Sequence, residues 1–203
     1  MTNARKTQIN EDFLLDRRTA VPAVIGEPSD FLIISGLSGA ARDIGYLTEG
    51  APNAYLLGGA MGAAASMGLG LALAQPERRV LIVSGDGEFL MNVSSLATIG
   101  HMRPSNLAML CIDNGRYGET GNQESHTYRT ADLAAIAHGS GIDITMTVRS
   151  EDQFEQAARA LRSESGPSFV VLRVNDGAPA DYARNFDAVE TKANFRRALL
   201  AGY

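Results

Sequence analysis

The run Val80-Leu81-Ile82-Val83 is apolar without a break and ends at once in Ser84-Gly85-Asp86-Gly87. A strand with one wet face alternates apolar and polar residues, so an unbroken run marks a strand covered on both faces. The same signature recurs at Phe31-Leu32-Ile33-Ile34, at Leu107 to Ile112 and at Phe169-Val170-Val171-Leu172. Shorter strands are expected at Tyr55-Leu56-Leu57 and at about Ile142–Val148. Helices are expected from Ser38, which can cap one through about Leu47, over 60–74, from Glu88 to about Ile99, over about Ala131–His138 and over about Ser150–Arg162. Strands that alternate with helices predict a mostly parallel sheet in a three-layer α/β/α arrangement. Residues 31–175 read as that domain. Residues 1–30 read as an N-terminal arm or helix that packs on something else, and 176–203 as a polar tail with a short helix near Thr191–Leu200.

Composition excludes several classes. The 203 residues suffice for one domain with a sizeable core. A formal net charge of −5 with no basic stripe argues against nucleic acid as a partner. The longest apolar stretch, Ala60 to Ala74, is interrupted by glycines and too short to span a bilayer, so no membrane partner is expected. The polar beginning (Thr2, Asn3, Arg5, Lys6) does not resemble a signal peptide. Cys111 is the single cysteine, so no internal disulfide can form, and it reads as a small buried hydrophobe. The expected compartment is the cytoplasm.

In a parallel sheet, ligands bind beyond the carboxyl ends of the strands. The unusual residues gather there: Gly36-Leu37-Ser38, Gly58-Gly59-Ala60-Met61, Gly85-Asp86-Gly87 and Asp113-Asn114. Gly85 and Gly87 let the backbone turn sharply after its strand. The helix that follows directs N–H groups at the same spot, which favours a diphosphate. An aspartate there would repel that anion unless a hard cation lay between them, and Mg²⁺ takes carboxylate and phosphate oxygens in such sites. The 26 residues from Glu88 to Asp113 allow one helix and one strand, which returns Asn114 to the sheet edge near Asp86. The Asn114 side-chain oxygen and the Arg116 carbonyl could then complete the protein's share of the metal shell. Read alone, either motif is also a capping aspartate or an ordinary Asn-Gly turn.

Gly85-Asp86-Gly87 followed by Asp113-Asn114 resembles the signature of thiamine-diphosphate (ThDP) enzymes. The stretch Ile112 to Thr127 is similar to one branch, the β subunits of sulfopyruvate decarboxylase and the matching part of phosphonopyruvate decarboxylase, as is Gly58-Gly59-Ala60-Met61-Gly62. The resemblance covers roughly residues 30–175 and makes 31–175 a ThDP diphosphate-binding domain. It implies that Asp86, Asn114 and Arg116 hold Mg²⁺. It implies that Gly36, Leu37, Ser38, Gly85, Gly87 and Glu88 surround the diphosphate, with Tyr117 and Gly118 in the neighbouring loop. Met61 would wedge under the cofactor, beside Ala60, and the Gly59 carbonyl would receive its amino group. His126 matches a loop histidine that would contact substrate, although a loop histidine can equally serve as a structural hydrogen-bonder. No certain catalytic residue is assigned in this chain.

Three residues depart from the branch. Glu88 and Glu119 replace serines, and Ala60 replaces another. Two added carboxylates near an anionic cofactor put a sulfonate or phosphonate substrate in doubt unless they face away or meet Arg116 or Arg129. The family's pyrimidine-activating glutamate comes from a separate domain, and only about 30 residues precede the first clear strand here. Glu11, Glu27 and Glu49 lie in no strand–Glu–helix context that could substitute. An α subunit is therefore the expected partner, giving a hetero-oligomer, with a homodimer open to the isolated chain. The resulting function is the β subunit of a ThDP- and Mg²⁺-dependent 2-keto acid decarboxylase, inactive or weakly active alone. The alternatives are a carboligase subunit similar to acetolactate synthase, a non-catalytic ThDP-binding scaffold, and a dinucleotide-binding module. The last lacks G-x-G-x-x-G spacing. The glycine- and alanine-rich segment 60–74 suits a close subunit contact or a tight helix–sheet contact within the domain.

Overall fold

A computed structural model of the chain describes residues 12–202. Residues 1–11, which hold the first part of the expected arm and Glu11, lie outside the described residues, as does Tyr203. In chain order the elements are α1 (Arg17–Ile25), β1 (Leu32–Ser35), α2 (Ser38–Leu47), β2 (Ala54–Leu56), α3 (Ala64–Ala74), β3 (Val80–Gly85), α4 (Asp86–Met91), α5 (Ser95–Met102), β4 (Leu107–Asp113), β5 (Arg116–Tyr117), β6 (Gln123–Glu124), α6 (Leu133–Gly139), β7 (Ile144–Val148), α7 (Phe154–Leu161), β8 (Ser168–Arg173) and α8 (Ala188–Leu200).

Six strands form one parallel sheet in the order β2-β1-β3-β4-β8-β7. Alternate residues of β1, β3, β4 and β8 feed two separate cores. Ile34, Ile82, Met109 and Phe169 pack with α3, α5 and α6 on one face. Ile33, Leu81, Leu110 and Val170 pack with α1, α2 and α7 on the other. Both faces are apolar, which is why the strand runs carry no polar alternation. No helix of the described residues is long and apolar enough to cross a membrane.

Helix α1 packs into this chain's own core through Ala20, Val21, Val24 and Ile25. The small residues of α3 serve the sheet: a Cβ on Gly68 would meet Ile82 Cγ1 at 2.2 Å. That close seat explains the glycine within the domain. Cys111 is buried in β4, and burial pushes its thiol well above the usual range.

Several expected boundaries move. Helix α3 begins at Ala64, not residue 60, because Gly62 turns at φ +78°. The single helix expected from Glu88 to Ile99 is two, α4 and α5. Asn92 leaves helical geometry (φ −131°, ψ 45°), and its side-chain amide reaches Gly62 O at 3.0 Å instead. Ser38 does not cap α2. Leu37 is the N-cap residue, no side chain caps it by hydrogen bond as an N-cap would its own helix, and Ser38 sits in the left-handed region at φ +59°. The polar stretch 116–129 contains the antiparallel hairpin of β5 and β6.

Candidate functional site

The sheet order departs from β1 in both directions, to β2 on one side and β3 on the other. The crevice between the loops after β1 and β3 is therefore the topological switch point, where open α/β sheets bind ligands. Register pairs Ser35 with Val83 and Gly85 with Ile112, so the ends of β1, β3 and β4 share one edge. A cleft of about 480 Å³ opens there, lined by Leu37, Ser38, Met61, Gly85, Asp86, Gly87, Glu88, Asn114, Arg116, Tyr117 and Gly118. Gly36, Gly59 and Ala60 are not among the lining residues. Gly36 lies buried behind Leu37, and Gly59 and Ala60 are exposed beside Met61. A second cleft, of about 520 Å³, runs under α8 past Thr48, Tyr182 and Phe195 and holds no candidate residue.

Asp86 begins α4 with 2% of its surface exposed. Its Oδ2 accepts from Ser125 Oγ and lies 3.0 Å from Thr127 Oγ1. Thr127 Oγ1 also lies 2.8 Å from Asp113 Oδ1. Burial pushes the Asp86 carboxyl above the usual carboxylate range, against the two hydroxyls that draw it down. Asp113 is pushed up to about 7, first by burial and then by the Asp86 charge, with Arg173 opposing. Arg173 Nη1 stands 3.3 Å from Asp113 Oδ2 and donates to Thr127 O at 2.9 Å.

The Asn114 side-chain oxygen accepts from the Arg116 amide at 3.1 Å, closing the turn that carries both residues into the cleft. Its amide nitrogen donates to Asp176 Oδ1 at 3.3 Å, and Asn122 Nδ2 donates to Asp176 Oδ2 at 2.6 Å. Asp176 thus ties the segment after β8 to both loops. Tyr117 lies against Gly87, where a Cβ would meet the ring at 2.7 Å.

Met61 is 43% exposed at the cleft, so it is not a core residue of α3. His126 is exposed and outside the cleft lining; its Nδ1 lies 2.8 Å from Tyr117 Oη. The two added carboxylates behave differently. Glu119 lines the cleft and is exposed, whereas Glu88 is buried and turned onto Leu37 N and Ser84 Oγ. Neither meets the expected arginines: Arg129 and Arg116 both face Glu124, at 2.5 and 3.9 Å.

Ser125, Thr127, Arg173 and Asp176 were not singled out from the sequence. Arg173 carried a usable signal, a charge at the end of an otherwise apolar strand run. Ser125 and Thr127 carried none, since polar residues in a polar loop have no period.

The donor chemistry fits a hard dication. Asp86 offers a carboxylate, Asn114 an amide oxygen and Arg116 a backbone carbonyl, all oxygens, as Mg²⁺ requires. The buried Asp86–Asp113 pair has Arg173 as its one ion-pair partner, so one negative charge of the two remains for a cation to offset. Among the described residues no three His, Cys, Asp or Glu side chains are placed to hold a metal ion together, so a shell there needs amide and carbonyl donors and outside oxygens.

Comparison with known proteins gives a family match over residues 35–172, to the model described as thiamine pyrophosphate enzyme, C-terminal TPP binding domain. The chain is 39% identical over 142 residues to sulfopyruvate decarboxylase subunit beta of Methanocaldococcus jannaschii, covering 70% of this chain and 74% of that one. It is 34% identical to phosphonopyruvate decarboxylase of Streptomyces viridochromogenes over 86% of this chain but only 46% of that enzyme. Among solved structures, a putative thiamin diphosphate-dependent enzyme from Mycobacterium smegmatis shares the fold, with a TM-score of 0.63 and 21% identity, over 80% of this chain and 32% of that one.

Proposed function

Because the chain belongs to the thiamine pyrophosphate enzyme family, as its C-terminal TPP-binding domain, we propose that it is the β subunit of a ThDP- and Mg²⁺-dependent 2-keto acid decarboxylase. The observation that carries this reading is the convergence of Asp86, Asn114 and Arg116 on one cleft with Met61, Leu37 and Ser38.

On this reading Asp86, Asn114 and the Arg116 carbonyl hold Mg²⁺. The amides of Gly87 and Glu88 and the loop of Leu37 and Ser38 receive the diphosphate. Met61 would wedge under the cofactor, and Gly59 stands exposed next to it, open to a partner chain. When bound, ThDP supplies the electron sink for loss of CO₂ from the keto acid. This chain's share is to bind, orient and exclude water; the pyrimidine-activating glutamate comes from an α subunit. The match to most of a β subunit, but to under half of a longer decarboxylase, supports division of the enzyme between two chains. The assembly is then a cytoplasmic hetero-oligomer.

Calorimetric titration with ThDP and Mg²⁺, with and without the α subunit, tests the reading. Mg²⁺-dependent binding should appear with the partner and be lost in Asp86→Asn. No binding under either condition would remove the cofactor assignment.

A further inference from the structure

Glu88 makes the contact least expected in such a site. Its Oε2 accepts from the Leu37 amide at 2.8 Å and from Ser84 Oγ at 2.8 Å. The side chain is 94% buried, and Oε1 has no hydrogen-bond partner. The carboxylate is pressed onto the loop after β1 so closely that a Cβ on Gly36 would meet Oε2 at 2.1 Å. Leu37 is also the N-cap of α2, which lacks any side-chain cap of its own. A carboxylate from α4 therefore holds an amide at the head of α2, in a loop that should also receive a diphosphate.

We propose that Glu88 is a built-in competitor of the cofactor's diphosphate for the head of α2, so that it weakens ThDP binding and must release Leu37 when the cofactor loads. The inference rests on the ThDP reading above and adds a determinant of cofactor affinity to it. Two anions cannot share one amide donor, and a buried carboxylate with a bare oxygen is poorly placed to tolerate a second negative group beside it. The opposite role, a brace that prepares the loop for the diphosphate, predicts the opposite sign.

The experiment titrates the full chain, together with its α subunit, with ThDP at fixed Mg²⁺, in the parent, E88Q and E88S. Inorganic pyrophosphate with Mg²⁺ is the second probe. E88S should bind ThDP more tightly by roughly tenfold, the scale of one hydrogen bond to a charged group, and E88Q by less, because its amide oxygen can still accept from Leu37. The gain should change little with salt, since a buried carboxylate is screened much less than an exposed one. Pyrophosphate should tighten in parallel, because the competition concerns the diphosphate alone. E88Q removes the charge but keeps an oxygen that can accept from Leu37, so E88S, or E88A if E88S folds poorly, decides the matter. Unchanged or weaker ThDP binding in the deciding variant overturns the competition while leaving the cofactor assignment in place. Tightening of ThDP without pyrophosphate also overturns it. Absence of ThDP binding in the parent and both variants removes the cofactor reading and this inference together.

Discussion

Thr127 Oγ1 stands 2.8 Å from Asp113 Oδ1, and the same oxygen is 3.0 Å from Asp86 Oδ2. A hydroxyl has one proton, so it can donate to only one of the two carboxylates at a time. Thr127 therefore sits as the hinge between the expected metal ligand and its buried neighbour. Thr127→Val should cost about 1–3 kcal/mol of stability, because a hydrogen bond to a buried carboxylate is lost, although Ser125 Oγ still serves Asp86 Oδ2 and the Gly115 amide still serves Asp113 Oδ1. It should also weaken Mg²⁺-dependent ThDP binding, while Thr127→Ser keeps both. Urea unfolding and cofactor titration of the two variants would decide; a valine variant equal to the parent in both would show that the hydroxyl organises neither carboxylate.

The same pair sets a pH dependence for the metal-free chain. The native carboxyl of Asp113 is raised from 3.8 to about 7 by burial and by Asp86. The native state then binds more protons than the unfolded chain between those values. Stability attributable to Asp113 must fall as pH rises through that window, and return as pH falls. In EDTA, the chain should melt at a higher temperature near pH 5 than near pH 7.5. Saturating Mg²⁺ and ThDP with the partner should flatten the difference, since a cation favours the ionised forms. A metal-free melting temperature that drops on acidification across this window would contradict the arrangement.

The strands and the passage from β3 into α4 at Gly85-Asp86-Gly87 were legible because their signals are local. A strand covered on both faces needs only its own apolar run; the expected sharp turn is absent, since neither glycine takes a positive φ, and Gly87 instead makes room for the Tyr117 ring. The contacts that shape the site are not local. Ser125 reaches Asp86 across 39 positions, and Leu37 reaches Glu88 across 51. Nothing in either segment alone announces its partner. The break between α4 and α5 escaped for the same reason: Asn92 leaves the helix to hold the Gly62 carbonyl, which lies 30 positions away. Arginine pairing was misjudged because Glu124 lies directly across the hairpin from Arg116, a neighbour visible only once β5 and β6 pair.

Arg17 and Asp43 form a buried ion pair, with side chains 7% and 4% exposed and Nη2 to Oδ2 at 2.6 Å. Asp43 Oδ1 also accepts from the Ala180 amide at 2.9 Å, so the pair anchors the segment that borders the cleft at Asp176 to Pro179. Burial raises the Asp43 carboxyl even with Arg17 beside it, so desolvation outweighs the attraction. Breaking such a pair from one side strands a buried charge. Asp43→Asn should therefore destabilise by about 3–5 kcal/mol, whereas Arg17→Met combined with Asp43→Leu should lose only about 1–3 kcal/mol, the cost of the Ala180 amide left without its acceptor. The segment should loosen in the single variant, read as faster amide exchange at Ala180. A single variant as stable as the parent would show that the pair is not held as described.

Met61 separates a cofactor contact from a structural role most directly. It is 43% exposed at the cleft, so its side chain adds little to the chain's own core. A buried methionine cut to alanine costs about 2–5 kcal/mol. An exposed one away from special features changes stability by roughly 0.5 kcal/mol or less. Met61→Ala should accordingly melt with the parent yet bind ThDP more weakly and lower decarboxylation by the assembled enzyme. Met61→Leu should recover much of the binding, because the role requires apolar bulk rather than sulfur. Loss of several kcal/mol in the isolated alanine variant would place Met61 in the core and remove it from the cofactor's contacts. An alanine variant with unchanged melting and unchanged ThDP affinity would leave the apolar wall of the cleft without a function on this chain.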